Sequence, residues 1–466
     1  MERTLGFWVD PEAAFLAILA DEPVSFWLDS GVDAASGVSY LGAPSPASVT
    51  AVASAEGVVS LHRGAAASAV YPGSVFELLR DPHQAVPPEP GPAEGFAFGW
   101  VGWLGYELGA GLVGSPHHRS ELPDATLIRA DRTLTFDHAA RSITLRAATT
   151  STHPELWLES TARTLGGLVD RPAAEPSIPS LPAPSTARLR HPRAEYLEMI
   201  RECLDAIGRG DAYQICLTNE IMADAVDSPL DVYRRLRRAN PSHHGGFIRT
   251  PQATVASSSP ERFLEISPSG LVQTRPIKGT RPRGLDAATD QALLDDLATD
   301  EKEIAENIMI VDLMRNDLHR IAEPGSVETS ELLQIESYRN VHQLVSTVSA
   351  RLADGRSWVD AIEACLPGGS MTGAPKHSAM SIIDRLERGP RGPYAGAFGF
   401  LGSDGRVDLA MTIRTIVMTE TVTSIGVGGG ITALSNAEAE FAETLLKAEP
   451  LLAAANTTLV RDELGR

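Results

Sequence analysis

The segment Gly426-Val-Gly-Gly-Gly-Ile431 separates a strand-like stretch from a helical pattern over 436–454. Ser435 and Glu438 stand three residues apart at the start of that pattern, which is the spacing of a capping box. The glycine run itself predicts a tight turn. The same alternation of strands, glycine-rich turns and long helices recurs upstream, and it predicts an α+β protein with mainly antiparallel sheets.

Further helices are predicted over 195–207 and 300–318, because apolar residues recur there at helical spacing. The second of them carries acidic residues in its first turn, where they suit the helix dipole. Short strands are predicted nearer the N-terminus, at 24–28, 95–101 and 132–136, where aromatic and β-branched residues mix.

Proline divides the chain into parts. Proline is dense at 82–92 and again at 172–192, and such segments form surface loops or linkers because proline fixes φ and removes a hydrogen-bond donor. We therefore predict a β-rich N-terminal part at 1–170, which contributes to the same core. A proline-rich linker follows at 171–193, and a second part spans 194–456.

Composition excludes several classes of protein. A net charge of −20 argues against a nucleic-acid-binding surface, which needs clustered Lys and Arg. No run of 18 apolar residues predicts a membrane span, and the first twenty residues lack the pattern of a signal peptide. Cys203, Cys216 and Cys365 are scattered, which is typical of reduced, buried thiols. We expect a cytoplasmic protein.

Two predicted helices each carry a pair of carboxylates. Glu303 and Glu306 lie three residues apart, as do Glu440 and Glu443, so each pair shares one helical face. Either pair alone is typical of a solvated surface. If both faced one cleft, their mutual repulsion would require a cation, and Mg²⁺ is the natural candidate because it prefers carboxylate oxygens.

Three other features could carry chemistry. Lys278 follows a strand-like stretch, where a lysine is usually exposed, but a partly buried site could lower its pKa and make the free amine available as a nucleophile. Glu261 could be a general acid if burial raised its pKa, or it could simply pair with Arg262. The glycine-rich segment 367–376 could offer backbone N–H groups to an anion, but it does not match a nucleotide-binding motif.

Taken together, these stretches resemble the chorismate-utilising enzymes. The resemblance rests on Ser259-Pro-Glu-Arg-Phe263, Pro276-Ile-Lys-Gly-Thr-Arg-Pro-Arg283, Ala305-Glu-Asn-Ile-Met-Ile-Val-Asp-Leu-Met-Arg-Asn-Asp317, Pro367-Gly-Gly-Ser-Met-Thr-Gly-Ala-Pro-Lys376, Ile413-Arg-Thr415 and Gly428-Gly-Gly-Ile431. They occur in the family's order. The resemblance implies two packed β-sheets flanked by helices, and it places the catalytic, chorismate-binding part at 194–456.

The resemblance also implies a cofactor and a set of site residues. Chorismate would be the substrate and Mg²⁺ the cofactor, with Glu306 and Glu443 as direct metal ligands and Glu303 and Glu440 in support. The groups implied to contact the substrate are Gln214, Gly279, Thr280, Tyr394, Arg414, Gly428, Gly429 and Gly430.

Two positions distinguish among members of the family. Relatives that add water carry a lysine where this chain has Gln214, so ammonia is favoured as the nucleophile. Relatives that form anthranilate usually carry alanine where this chain has Lys278. The resemblance thus implies that Lys278 attacks ring C2 while Glu261 protonates the departing C4 hydroxyl, and that ammonia then yields 4-amino-4-deoxychorismate. Anthranilate formation remains the alternative, and a non-catalytic chorismate-binding subunit is a third.

The chain also departs from its relatives. Gln343 stands where many carry histidine, and His342 lies one residue earlier. The segment 240–245 lacks the pattern of tryptophan-regulated relatives, so we expect no tryptophan feedback, although Ser30 could line a remnant of that pocket. No cysteine has the sharp, glycine-flanked setting of an amidotransferase nucleophile. We therefore expect a separate glutamine amidotransferase subunit to supply ammonia, with free ammonium able to replace it.

Overall fold

The computed structural model describes residues 1–32, 34–54, 57–64, 66–84, 95–169, 183–226, 228–338 and 341–460. The strands of these residues are β1 (Glu2–Leu5), β2 (Ser25–Asp29), β3 (Val38–Gly42), β4 (Thr50–Ala53), β5 (Val58–Arg63), β6 (Ala66–Pro72), β7 (Gly99–Leu104), β8 (Ala125–Ala130), β9 (Arg132–Asp137), β10 (Ser142–Ala147), β11 (Ser185–Leu189), β12 (Gln214–Asp224), β13 (His244–Arg249), β14 (Thr254–Ser259), β15 (Arg262–Ile266), β16 (Leu271–Thr274), β17 (Ile277–Pro282), β18 (Glu328–Ser337), β19 (Val341–Arg351), β20 (Gly373–Ala374), β21 (Ala397–Gly402), β22 (Val407–Met411), β23 (Thr415–Met418), β24 (Val422–Thr432) and β25 (Thr457–Leu459).

The helices are α1 (Pro11–Ile18), α2 (Val75–Arg80), α3 (Tyr106–Val113), α4 (Pro154–Gly166), α5 (Arg193–Gly208), α6 (Pro229–Ala239), α7 (Ala287–Thr299), α8 (Glu301–His319), α9 (Trp358–Cys365), α10 (Lys376–Glu387) and α11 (Ala437–Ala455), with a 3-10 turn at Gly369–Met371. No helix of the described segments is long and apolar enough to span a lipid bilayer.

The strands form two large sheets. The first has the order β1-β10-β9-β3-β2-β13-β14-β23-β24-β12-β11-β25, and β20 also pairs with β12. The second has the order β17-β19-β16-β15-β22-β21-β7-β8-β4-β5-β6, and β18 also pairs with β19. Among the described strands, neighbours run antiparallel except β11 and β25, which are parallel. The predicted α+β class, with two packed and mainly antiparallel sheets flanked by helices, is confirmed.

Three buried layers hold the sheets and helices together. Between the sheets, Phe26, Ile248 and Val417 of the first meet Trp103 and Phe398 of the second. The outer face of the first sheet is covered by helices that include α5, α6 and α11, and the outer face of the second by α2, α8 and α9. Each sheet therefore buries both faces, which explains strands such as β7 that are apolar and buried along their whole length.

Both sheets contain strands from either side of the segment 171–193. Residues 170–182 and 85–94 lie outside the described part, and with them most of both proline-rich segments. The boundaries of the parts at 1–170 and 194–456 therefore stay predictions.

Two local predictions are wrong. The run Gly426–Ile431 is not a turn but the centre of β24, paired residue by residue with β12. The last helix is capped by Asn436, whose side chain accepts a hydrogen bond from the backbone N–H of Ala439, rather than by a box of Ser435 and Glu438. Glycine occurs in this strand because neighbouring groups pack too closely against it to leave room for side chains.

Candidate active site

A cavity of about 700 Å³ opens where the two sheets meet the helices α8 and α11. Its walls come from β17 in the second sheet, from β24 in the first, and from the 3-10 turn. The acidic helix pairs of the sequence border the same space, since Glu303, Glu306, Glu440 and Glu443 all line it. The structure therefore brings together features that lie far apart in the chain.

The glycines of β24 keep one wall of the cavity flat. A Cβ atom on Gly426 would lie 2.1 Å from the ring of Tyr394, and one on Gly428 would lie 2.3 Å from a backbone oxygen of β12. Side chains at Gly429 and Gly430 would approach Glu440 and Glu306, each within 3.3 Å. Any side chain here would displace neighbours or fill the cavity, which explains the glycine run physically.

This wall also presents backbone groups. The carbonyl oxygen of Gly428 accepts a hydrogen bond of 3.0 Å from Lys447 Nζ on α11. Because the N–H and C=O of one strand residue point to the same edge, the N–H of Gly428 is directed to that edge, as is the N–H of Gly430 two residues on. These N–H groups are suited to a carboxylate.

Lys278 lies half-buried on β17 and lines the cavity. Burial acts to lower the pKa of its ammonium, but nearby negative charge, above all that of Glu306, outweighs burial and raises the pKa. The expected lowering of its pKa is therefore wrong for the protein without a bound cation. The next residue, Gly279, has φ of +82°, and a Cβ there would lie 2.7 Å from Leu297.

Glu261 is buried and lines the same cavity. Burial raises the pKa of its carboxyl group, although Lys278 and a hydrogen bond from the hydroxyl of Ser370 act in the opposite direction. That hydrogen bond is 2.6 Å long. A raised pKa is what a general acid requires, so the expectation for Glu261 agrees with its surroundings. Arg262, the alternative partner, instead pairs with Glu265 and Asp408.

The four predicted metal carboxylates each have a basic neighbour. Lys302 Nζ lies 2.7 Å from Glu440 and 3.7 Å from Glu306, and Lys447 Nζ lies 2.7 Å from Glu443. Arg281 Nη1 lies 3.6 Å from Glu303. Burial acts to lower the pKa of Lys302, but the carboxylates around it raise the pKa to about 12.

Carboxylates of this kind are chemically suited to Mg²⁺, because four hard oxygen donors on two helices border one cavity. Within the described segments, however, no three carboxylate, imidazole or thiolate groups converge into a ready-made metal cluster. Lys302 instead reaches both Glu306 and Glu440. The four carboxylates are therefore chemically suited to Mg²⁺, but the ammonium group of Lys302 lies between those of Glu306 and Glu440.

Arg414 and Tyr394 lie at the β24 side of the cavity. Arg414 adopts a left-handed backbone conformation with φ of 49°, and burial lowers the pKa of its guanidinium, which still stays charged at neutral pH. Thr280 lines the cavity too. Gln214 lies behind the wall: it is fully buried, and its carboxamide, which has no hydrogen-bond partner in the described structure, sits 2.5 Å from where a Cβ of Gly430 would be.

The two neighbouring residues 342 and 343 face different surroundings. Gln343 lines the cavity, whereas His342 is buried and bonds Ser337 and Asp290. The side chain of His342, on β19, thus contacts α7 through Asp290. Ser30 does not line this cavity.

Lys302, Lys447 and Ser370 also line the cavity, although the sequence patterns do not single them out. Both lysines lie four residues from a glutamate on the same helix, which is a signal of a helical ion pair. Ser370 lies in the glycine-rich segment 367–376, whose sequence points to backbone N–H groups and gives no signal for the hydroxyl.

Several known proteins are similar to this chain. A sequence model of the chorismate binding enzymes matches residues 40–453. Aminodeoxychorismate synthase from Streptomyces pristinaespiralis is 42% identical, over 96% of this chain but 63% of that protein. This chain thus spans less than two thirds of that relative. Aminodeoxychorismate synthase component 1 from Salmonella typhimurium is 37% identical, over 81% of each chain. Anthranilate synthase component 1 from Thermus thermophilus is 38% identical, over 77% of this chain and 78% of that one.

A solved structure has the same fold. Anthranilate synthase component I from Streptococcus pneumoniae superimposes with a TM-score of 0.77 and 28% identity, covering 95% of this chain and 97% of that chain.

Proposed function

The chain belongs to the chorismate-binding enzymes, and on that premise we propose that it aminates chorismate at C4, with Mg²⁺, to form 4-amino-4-deoxychorismate. The observation that carries the proposal is the position of Lys278 and Glu261 on one cavity, together with the four helix carboxylates and Arg414. These side chains would supply a nucleophile, an acid and groups for two carboxylates, and the space that they line is large enough for a small substrate.

The substrate's two carboxylates find different partners. Arg414, Tyr394 and the N–H groups of β24 suit one of them, because a partly buried cation and directed N–H groups both favour an anion. The other suits Mg²⁺ held by Glu306 and Glu443, with Glu303 and Glu440 in support. When bound, the ion would neutralise that carboxylate and stabilise negative charge that develops in the ring. Gly279 and Thr280 would lie against the ring.

The proposed chemistry balances as two displacements. The amine of Lys278 bonds to C2 as the ring double bonds shift and the C4 hydroxyl leaves, taking a proton from Glu261 to depart as water. Ammonia then bonds to C4, the double bonds shift back, and the amine of Lys278 leaves C2. The net change is the replacement of hydroxyl by amino at C4, with one water released.

Lys278 must be a free amine before it attacks. Glu261 is a suitable acceptor for its proton, since burial already favours the protonated carboxyl. One proton would then pass from Lys278 to Glu261 and on to the departing hydroxyl. The nucleophile and the acid would thus be linked by one shared proton.

Ammonia is proposed to come from a separate glutamine amidotransferase. Three of the proteins compared above carry the designation component 1 or component I, which implies a second subunit for those proteins. Cys203, Cys216 and Cys365 are buried, and burial raises the pKa of each thiol, which is the reverse of an activated nucleophile. Free ammonium should therefore support the reaction of this chain alone.

Anthranilate synthesis is the second candidate, because the relative from Thermus thermophilus is named for it at 38% identity. In that reaction ammonia bonds to C2 and pyruvate is released. No covalent lysine is needed for it, so a lysine at position 278 favours the first candidate.

Product analysis separates the candidates. The wild-type protein and Lys278→Ala are each incubated with chorismate, Mg²⁺ and ammonium, and the products are resolved by liquid chromatography with mass detection. We expect 4-amino-4-deoxychorismate from wild type and none from the variant. Anthranilate and pyruvate from wild type would establish the second candidate, and full 4-amination by Lys278→Ala would refute the covalent route. Absence of any product from a chorismate-binding wild type would indicate a regulatory subunit.

A further inference from the structure

Lys302, on α8, lies between a carboxylate of its own helix and a carboxylate of α11. Its ammonium is 2.7 Å from Oε1 of Glu440 and 3.7 Å from Oε1 of Glu306. The side chains of both glutamates are almost fully buried, at 4% and 8% exposure, whereas that of Lys302 is 31% exposed. One cationic group therefore serves two buried carboxylates from different helices.

The other two acids of the set are matched as well. Glu443 pairs with Lys447 at 2.7 Å, and Glu303 lies 3.6 Å from Arg281. Four carboxylates around one cavity would repel one another if left unpaired, above all Glu306 and Glu440, because buried charges are poorly screened. The basic side chains offset that repulsion in the protein without metal.

Lys302 differs from the other basic groups because it lies between two of the carboxylates. A divalent ion needs oxygen atoms of such groups within about 2.1 Å. An ammonium group that keeps its contacts with Glu440 and Glu306 would then lie close to a doubly charged ion, and the two would repel each other. The long, flexible and partly exposed side chain of Lys302 can swing to solvent from its position on the first turn of α8.

We infer that Lys302 is an internal counter-ion of the metal-free site, which holds Glu306 and Glu440 together and which a divalent cation must displace in order to bind. This inference rests on the proposed function, because it concerns the same site, and it adds a requirement for metal affinity and for stability. The lysine stabilises the metal-free protein and, for the same reason, weakens its affinity for the metal.

The test compares metal binding by wild type, Lys302→Met and Lys302→Arg, in the absence of chorismate and ammonium. Mg²⁺ binding is measured by calorimetry, Mn²⁺ binding by electron paramagnetic resonance, and the melting temperature with and without Mg²⁺. We expect Lys302→Met to bind either ion about tenfold more tightly than wild type. Its metal-free melting temperature should be lower, and its gain on adding Mg²⁺ larger. Lys302→Arg retains the charge and should bind no more tightly than wild type.

Arg193→Gln provides the matched control. Arg193 pairs at 2.6 Å with Glu438 on the first turn of α11, and its side chain, like that of Lys302, is partly exposed, whereas that of Glu438 is exposed. The variant removes one positive charge from α5, next to the first turn of α11, without touching Glu306 or Glu440, so its metal affinity should equal that of wild type.

Three outcomes overturn the inference. They are unchanged or weaker metal binding by Lys302→Met, equal tightening by Arg193→Gln, and a tighter Lys302→Arg. If Lys302→Met does not fold without metal, refolding in excess Mn²⁺ followed by measurement of the rate of metal loss to a chelator replaces the titration, and a faster loss than in wild type contradicts the inference. None of these measurements depends on amination of chorismate, so a failure here is distinct from a failure of the proposed function.

Discussion

The hydroxyl of Ser370 donates a hydrogen bond of 2.6 Å to Oε1 of Glu261, and both side chains are buried at the cavity wall. Ser370 belongs to the 3-10 turn Gly369–Met371, whose last carbonyl accepts a hydrogen bond from the buried guanidinium of Arg391. Arg391 thus holds the turn in place, and the hydrogen bond from Ser370 restricts rotation of the Glu261 carboxyl group. Ser370 is a positioning residue for the proposed acid.

Removal of that hydroxyl should impair proton transfer. We expect Ser370→Ala to lower kcat by about 10- to 100-fold, with little change in KM, since a positioned general acid typically contributes 10²–10⁴-fold. The hydrogen bond acts to lower the pKa of Glu261, so its loss should raise that pKa. The limb of the kcat–pH profile that reports Glu261 should therefore move to higher pH.

Ser381→Ala is the control for this prediction. The hydroxyl of Ser381 bonds a backbone carbonyl within α10 and is exposed, so the variant should retain the wild-type profile. A Ser370→Ala profile that superimposes on that of wild type contradicts the positioning role, whatever happens to the absolute rate.

The fold class and the long helices could be predicted from local patterns. The main wrong prediction, a turn in place of β24, came from contacts between residues distant in sequence. Asp300 caps α8 as the acidic start of that helix indicated, and α5 spans the range that its apolar spacing gave. The β24 glycines lacked side chains that could show a period of two. Their conformation is set by the ring of Tyr394 and by β12, which are distant in sequence, so composition favoured a turn.

The four carboxylates that line the cavity could be picked out from the sequence, but the basic side chains that balance their charge could not. The spacing of Glu303 and Glu306 places both on one face, yet spacing cannot say that α11 lies opposite. Lys302 and Lys447 show only helix-local spacing, which is typical of a solvated pair. Their importance arises from contacts with a second helix and with β24, and these depend on the tertiary fold.

Gly279 lies where β17 packs closely against α7 and α8. A Cβ there would lie 2.7 Å from Leu297 and 3.2 Å from Glu303, and φ is +82°. Gly325 has φ of +83° with open space around it. Both alanine variants suffer the left-handed backbone, which costs about 1 kcal/mol, but only Gly279→Ala adds a collision.

We therefore expect Gly279→Ala to lose about 1–3 kcal/mol more of the free energy of unfolding than Gly325→Ala. Only Gly279→Ala should lower turnover, because Lys278 precedes the strained residue. Denaturant titration and steady-state rates provide the comparison. Equal losses in the two variants would show that the neighbours yield without cost.

Glu107 makes stability depend on pH. Its buried carboxylate accepts backbone N–H bonds from Arg391 at 2.7 Å and Gly392 at 2.9 Å, while burial raises its pKa from 4.5 to about 7. The folded protein therefore binds this proton more tightly than the unfolded chain. Its contribution to stability is fully present below about pH 4.5 and is lost as the pH rises through 7.

Between pH 5 and pH 8, wild type should lose up to about 3 kcal/mol through this group, whereas Glu107→Gln has no such proton to lose. The difference in free energy of unfolding between the two proteins should thus change across this interval. Glu159→Gln, at an exposed position on α4, should parallel wild type. Parallel curves for Glu107→Gln and wild type would mean that Glu107 titrates at its ordinary pH in the folded protein.

The ion pair of Lys376 and Asp317 ties the segment that carries Ser370 to the end of α8. Lys376 Nζ lies 2.5 Å from Oδ2 of Asp317 and donates to the carbonyl of Pro367 at 3.0 Å, and both side chains are nearly buried. Removing the ammonium leaves a buried carboxylate without its cation. Lys376→Met should therefore lower the free energy of unfolding by about 3–5 kcal/mol.

The double variant Lys376→Met, Asp317→Leu removes the isolated charge and should recover most of that loss. Arg315→Gln breaks an exposed pair with Asp312 on the same helix and should change stability by less than about 1 kcal/mol. Urea denaturation of the four proteins measures the differences. If Lys376→Met is no less stable than Arg315→Gln, water reaches Asp317 in the variant and the pair is not what holds the segment to α8. If the double variant regains stability but not turnover, the pair's second role is to place Ser370 against Glu261.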